Sequence, residues 1–151
     1  MDVKLLNLTK IDPKSKDRLI YLHNELDSEM KQYDNTITID HNSDLIDIWK
    51  QNNAKIFILS DNDGTIIGYS AVRQNETIPN LFYLTKIIID KQYRQQHLGQ
   101  YFLTEIEKYI QNKLHGTILE LTVFNNNTVA KRLYANNDYK TFALIQRKKL
   151  K

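Results

Sequence analysis

The chain predicts a mixed α+β fold with a central, mostly antiparallel twisted sheet flanked by helices, and three observations carry that expectation. Residues 54–90 hold three strand-like runs, "AKIFILS", "TIIGYSAVR" and "NLFYLTKIIID", and the first two are joined by "DNDG", whose Asp-Gly step is a strong hairpin signal. Leu98, Phe102, Ile106, Ile110 and Leu114 then recur every fourth residue, the spacing of one helix face. At 151 residues, with 41% apolar residues spread in short runs, the chain suits a single domain over 1–151 with a real core.

The elements follow in order. "VKLLNL" (Val3 to Leu8) reads as a strand. Pro13 then stands near a helix start, and Leu19, Leu22, Leu26 and Met30 recur at helical spacing. A shorter helix is expected around Leu45, Ile48 and Trp49, with Ser43 or Asn42 as its cap. The three-strand meander comes next, then the long helix from Leu98 to near Gly116. "TILELTVF" (117–124) alternates as a strand, Thr128 to Asn136 places Ala130, Leu133 and Tyr134 on one helical face, and "YKTFALIQRK" (139–148) is expected to close as a final strand. The expected order is β-α-α-β-β-β-α-β-α-β.

Composition removes several function classes. No stretch approaches the roughly 18 consecutive apolar residues of a membrane span, and the start lacks the pattern of a secretory signal. With no cysteine there is no disulfide scaffold, thiolate metal site or cysteine nucleophile, and the cytoplasm is the expected compartment. The net charge of +3 is a weak signal. The basic stretch Gln146 to Lys151 reads as solvated charge at a strand end, with a phosphate contact as the alternative, and without interleaved aromatic and basic residues no nucleic-acid partner is expected.

Two constellations carry chemistry. In "YRQQHLGQYFL" (Tyr93 to Leu103) a strand and loop feed directly into a helix, whose first free N–H groups and positive dipole end form an anion site; Gly99 would let a phosphate approach the backbone. In "VFNNNTVAKRLYANNDY" (Val123 to Tyr139) a strand ends in three asparagines before the last helix. Together these segments resemble motifs A and B of the GNAT superfamily of N-acyltransferases, with Arg94 and Gly99 in register in the first, and Val123, Asn127, Ala130, Leu133 and Tyr134 in the second. The sequence departs from the pattern at His97, where the family has the first glycine of its phosphate loop, and at Asp138 and Tyr139, where it has glycine and phenylalanine. An outward-pointing His97 would leave its backbone free to serve the ligand.

The resemblance implies transfer of an acetyl group from acetyl-CoA to an amine without a metal, by direct attack in a ternary complex. It assigns the backbone of Ile87, Ile88 and Ile89 to the pantetheine arm and the loop Arg94, Gln95, Gln96, His97, Leu98, Gly99 and Gln100 to the pyrophosphate. It also sets Asn127 and Ala130 at the cofactor and makes Tyr134 the general acid toward the leaving thiolate. The competing reading of Tyr134 is core packing, and that of Asn127 a helix cap. No acid stands in "LTKIII", so the general base is open, with Glu120 and Tyr83 as weak candidates; His23, His41 and His115 read as surface or packing residues. Glu25, Asp27, Glu29, Asp34, Asp40, Asp44 and Asp47 make the stretch between the first helices acidic. Such a lining would favour a cationic acceptor, though solvated helix charge explains it as well. The alternative function is a non-catalytic acyl-CoA-binding regulatory module, and a homodimer is left open.

Overall fold

The computed structural model describes residues 1–38 and 44–150, so Asp40, His41, Asn42 and Ser43 lie outside the described residues. Helix α1 (Pro13–Tyr33) starts where the Asp12 carboxylate accepts from the Ser15 N–H, with proline in the first turn, where a missing N–H costs nothing. Helix α2 (Leu45–Gln51) is capped by Asp44, whose carboxylate accepts from the N–H groups of Ile46 and Asp47, rather than by the expected Ser43 or Asn42.

Strands β1 (Asp2–Leu5), β2 (Lys55–Ser60), β3 (Ile66–Gln74), β4 (Leu81–Ile89) and β5 (Ile118–Leu121) form one sheet in sequence order. The first four pair antiparallel. β5 joins β4 in parallel, because helix α3 (Leu98–Lys113) carries the chain back across the sheet between them. Helix α4 (Thr128–Asn136) follows β5.

Strand alternation divides the buried side chains between two cores. Phe57, Ile67, Phe82 and Ile89 face Phe102, Leu103, Ile106 and Ile110 of α3, with Tyr134 of α4 in the same cluster. Tyr69, Ala71 and Ile88 face Leu19 and Leu22 of α1 and Ile46 and Trp49 of α2. Each such side chain contributes about 1.5–3 kcal/mol on burial, so the period-four stripe of α3 fixes that helix on the sheet. No described helix is long and apolar enough to cross a membrane.

Two elements differ from the sequence expectation. The strand expected over 117–124 ends at Leu121. The β3–β4 register shifts between Ala71 and Val72, and such a bulge bends a strand away from its neighbour. β4 accordingly pairs with β5 only through Leu84↔Leu121, and residues 85–89 run on without β5.

The final strand over 139–148 is absent, and residues 139–150 carry no regular structure. Alternation supplies strand propensity, but a strand is held by its ladder, and no strand among the described residues pairs with the segment. It is tied instead at Tyr139, whose hydroxyl donates to Glu107, and at Arg147, whose guanidinium pairs with Asp34.

Candidate active site

Where β4 and β5 part, β4 is left with unpaired backbone. Asp90 N–H donates to Ile67 O across the antiparallel β3–β4 ladder, and hydrogen-bonded pairs alternate along such a ladder. Ile88, opposite Tyr69, therefore turns its N–H and C=O toward β3, while Ile87 and Ile89 turn theirs toward the gap. Of the three isoleucines expected to hold an extended ligand arm, Ile88 has its polar backbone groups spent within the sheet. Ile89 O already accepts from Arg94 Nε at 2.8 Å. The edge offered to the gap is thus the backbone of Ile87 and the N–H of Ile89.

The gap leads through Asp90 and a short turn at Lys91–Tyr93 to the start of α3. The Asp90 side chain is buried, which works against its charge, but the Gln92 N–H and the Arg18 guanidinium outweigh that and hold its carboxyl below the usual range. Gln95 (φ 63°) and His97 (φ 58°) are both left-handed, so the loop doubles back before the helix. Glycine adopts that conformation freely, which accounts for the family's preference at the position His97 occupies. The His97 side chain is exposed and makes no cap hydrogen bond.

The first backbone bond of α3 is donated by Tyr101 to His97 O, so the N–H groups of Leu98, Gly99 and Gln100 are free at the positive end of the helix. A Cβ on Gly99 would meet only Leu133 Cδ2, at 3.5 Å, so neither packing nor backbone angle demands glycine there. What glycine leaves open is the approach to the helix end from outside.

Leu133 also sets α4 against that first turn, with Tyr134 beside it. The Tyr134 ring is buried and stacks at a tilt on Tyr139, their centroids 5.6 Å apart. Among the described residues its hydroxyl has no hydrogen-bond partner and no buried side-chain oxygen or nitrogen is unsatisfied, so the oxygen itself is not fully enclosed. Burial pushes its pKa up to about 12, which keeps it protonated throughout the physiological range. Asn127 Oδ1 caps α4 by accepting from Ala130 N–H at 3.1 Å; the amide nitrogen remains to donate. Asn125 accepts from Lys131 through both its carbonyl and its side chain.

The acidic stretch does work inside the fold. Glu29 pairs with Arg94 at 2.5 Å and Glu25 with Lys91 at 3.4 Å, tying α1 to both sides of the loop that precedes α3. Asp44 pairs with Lys16 at 3.2 Å. The Thr36 hydroxyl and the Arg147 guanidinium hold Asp34 at about 2. The expected lining of free carboxylates is therefore largely taken up by the chain's own basic groups. His23 stands between Tyr69 Oη, 2.8 Å from Nδ1, and Asp27, 3.2 Å from Nε2. His115 is exposed at the end of α3.

Of the two candidate bases, Tyr83 accepts at its hydroxyl from Asn75 at 2.6 Å, and Glu120 lies opposite it in the β4–β5 register. Both stand on the paired part of the sheet, before the gap opens. A separate hollow of about 650 Å³ lined by Trp49, Lys55 and Pro79 lies at another part of the surface and shares no residue with this constellation.

The sequence reading missed the Tyr33–Phe124 stack, with centroids 5.8 Å apart, which joins the end of α1 to the chain leaving β5. An aromatic pair 91 positions apart leaves no local signal, and the Arg94–Glu29 pair was hidden in the same way.

Solved structures with the same fold include the BH1408 protein from Bacillus halodurans, at 15% identity and TM-score 0.78 over 99% of this chain and 100% of that one. An aminoglycoside acetyltransferase, meta-AAC0020, from an uncultured soil metagenomic sample matches at 15% identity and TM-score 0.71, over 99% and 96% of the two chains. The aminoglycoside N-acetyltransferase AAC(6')-Iy, solved in complex with CoA, matches at 16% identity and TM-score 0.63, over 99% and 100%. No curated protein sequence matches the chain. The sequence profile of the Acetyltransferase (GNAT) family matches residues 20–139, a span that runs from α1 through the parted strands and the open end of α3 to Tyr139. The chain belongs to the GNAT family of acetyltransferases.

Proposed function

We propose that the protein transfers an acetyl group from acetyl-CoA to a primary amine by direct attack, in the gap between β4 and β5. The observations that carry this reading are an unpaired β4 edge at Ile87 and Ile89, free N–H groups at Leu98, Gly99 and Gln100, and Tyr134 on the helix whose Leu133 lies against Gly99. Acyl-CoA presents an amide-bearing arm and a pyrophosphate in the same succession. The CoA complex of one structural neighbour and the aminoglycoside acceptors named for two of them support a CoA thioester and an amine as the reactants.

Acetyl-CoA supplies the thioester, whose carbonyl carbon takes the amine nitrogen as the carbon–sulfur bond breaks. The chain's part is positioning and proton delivery. The Ile87 and Ile89 edge aligns the arm as an added strand would. The α3 terminus holds the pyrophosphate, with Gln95, Gln96 and His97 shaping the approach and Asn127 donating from the α4 side. Tyr134 gives its proton to the departing sulfur and regains one from solvent. The amine sheds its own proton to water or arrives as the free base, since residues 84–89 include no acid.

A cationic acceptor would have to compete for Glu29 and Asp34 with Arg94 and Arg147. The second reading, an acyl-CoA-binding module without turnover, draws on His97 in a glycine position and on the missing base. Calorimetric titration with acetyl-CoA, followed by thiol release in the presence of a panel of primary amines, separates the two. Binding with turnover is expected. Binding with no turnover across the panel favours the module, and no binding at millimolar acetyl-CoA contradicts both.

A further inference from the structure

On the reading that acetyl transfer takes place between β4 and β5, we propose that the acceptor is an amine bearing a carboxylate, which the Lys86 ammonium receives on the α1 face of the parted strands. Lys86 is the second residue of β4 beyond Leu84, the last to pair with β5, so it stands where the strands separate. It lies opposite Ala71 and alternates with Ile87, which puts its side chain on the face that Ala71 and Ile88 share with α1. That side chain is half-buried, and its Nζ ends 4.0 Å from Sδ of Met30, near the end of α1.

An ammonium withdrawn from water in this way ordinarily meets a carboxylate. Helix α1 and its cap supply none. Asp27 is engaged by His23, Glu25 by Lys91, Glu29 by Arg94 and Asp34 by Arg147. Among the described residues no acid lies within ion-pair distance of Lys86, and the Met30 thioether is only a weak acceptor. Arg73, on the same face of β3, adds a second positive charge; its guanidinium lies 5.5 Å from the centre of the Tyr83 ring and meets no carboxylate among the described residues. Glu120 faces this group from β5, but it stands opposite Tyr83, on the paired side of the split, and bridges to neither cation.

Tyr134 and α4 belong to the α3 face, so an acceptor that meets the thioester from the opposite face passes Lys86. A cationic acceptor meets a like charge there. A carboxylate meets a partly desolvated ammonium, and a charge-assisted hydrogen bond of that kind is roughly twice as strong as a neutral one. One ammonium matches one carboxylate, and an amino acid presents an amine and a carboxylate a few bonds apart.

The test compares acceptors that differ only in that charge: glycine, β-alanine and 4-aminobutanoate against their amides, with spermidine as a polycation. Thiol release gives kcat/KM, expressed per free amine, and calorimetry on the CoA-loaded protein gives acceptor affinity without turnover. The wild-type protein is expected to favour the acid in at least one pair, and Lys86→Met to lower that acid-to-amide ratio by about tenfold or more, the scale of a lost charge-assisted bond. Lys86→Arg is expected to keep the preference, and thermal melts show that each variant is folded. Spermidine or the amides favoured over every acid, no acid bound or acetylated, or an acid preference that survives in Lys86→Met overturns the proposal. An acid that binds through Lys86 without thiol release would support the carboxylate site and contradict acetyl transfer itself.

Discussion

Arg94 lies with its guanidinium between two anchors: Nη2 is 2.5 Å from Glu29 Oε1, and Nε donates to Ile89 O at 2.8 Å. One side chain thus fastens the loop before α3 both to α1 and to the end of β4. Beside the phosphate role proposed for it, Arg94 therefore has a structural duty in holding the loop's shape.

Glu29→Gln tests that description. The pair is partly exposed, so its loss should alter stability by no more than about 1 kcal/mol. A loosened loop must be ordered by the ligand, and if about 1–2 kcal/mol of preorganisation is lost, affinity for acetyl-CoA falls roughly 5- to 30-fold. Titration calorimetry and thermal melts on the same samples measure both; unchanged affinity would mean that the loop keeps its shape without α1.

At Gly99 the two substitutions to compare are alanine and glutamate. A Cβ there makes only an ordinary contact with Leu133, so both variants should fold. Glutamate places a carboxylate at the free N–H groups where the pyrophosphate is proposed to sit. Affinity should drop at least about 100-fold, the scale of like-charge juxtaposition in a desolvated site. Wild-type affinity in a folded Gly99→Glu protein would remove the α3 terminus as the phosphate site.

Asn127 has a structural duty and a proposed one, and they can be pulled apart. Asn127→Ala removes the cap on α4 and should cost about 1 kcal/mol of stability. Asn127→Asp keeps a capping oxygen and loses the amide donor. Its melting temperature should stay near wild type while acetyl-CoA affinity falls. Equal affinity in the aspartate variant would leave Asn127 as a cap alone.

Burial raises the ionisation of Tyr69, Tyr134 and Tyr139 above the ordinary phenol value. Each favours its neutral form in the folded protein, so that share of stability is intact below pH about 10 and is lost as pH climbs through the raised values. For Tyr134 the window runs from the ordinary phenol value of 10.0 to about 12. Phenolate absorbance should therefore show alkaline-shifted tyrosines, and Tyr134→Phe should soften the alkaline loss of stability. A tyrosine set that titrates entirely near 10 would contradict the buried packing around α4.

What could be read from the sequence was what is local. The Asp-Gly hairpin, Pro13 at a helix start and the period-four stripe of α3 each specify an element within a few residues, and each is where it was expected. The two motif segments likewise come together, with Leu133 against Gly99. What could not be read depends on pairing between distant segments. The gap arises from a β3–β4 register shift at Ala71/Val72, and nothing in the sequence near Ile87 announces which backbone groups it will free. The acidic stretch looked like a substrate lining because its partners Lys91, Arg94 and Arg147 are remote in sequence. The alternation in 139–148 was real, but propensity names a strand without naming its partner.

The most direct test of the account is single-turnover thiol release by Tyr134→Phe with an acceptor that the wild-type enzyme uses. Phenylalanine keeps the ring against Tyr139 and removes only a hydroxyl without a hydrogen-bond partner among the described residues, so melting temperature near neutral pH and acetyl-CoA affinity should barely move. If that hydroxyl delivers the proton to sulfur, the rate should fall by at least about tenfold, the lower edge of what general acid catalysis supplies. A folded variant that binds acetyl-CoA and turns over at the wild-type rate would take Tyr134 out of the chemistry and leave solvent as the source of the proton.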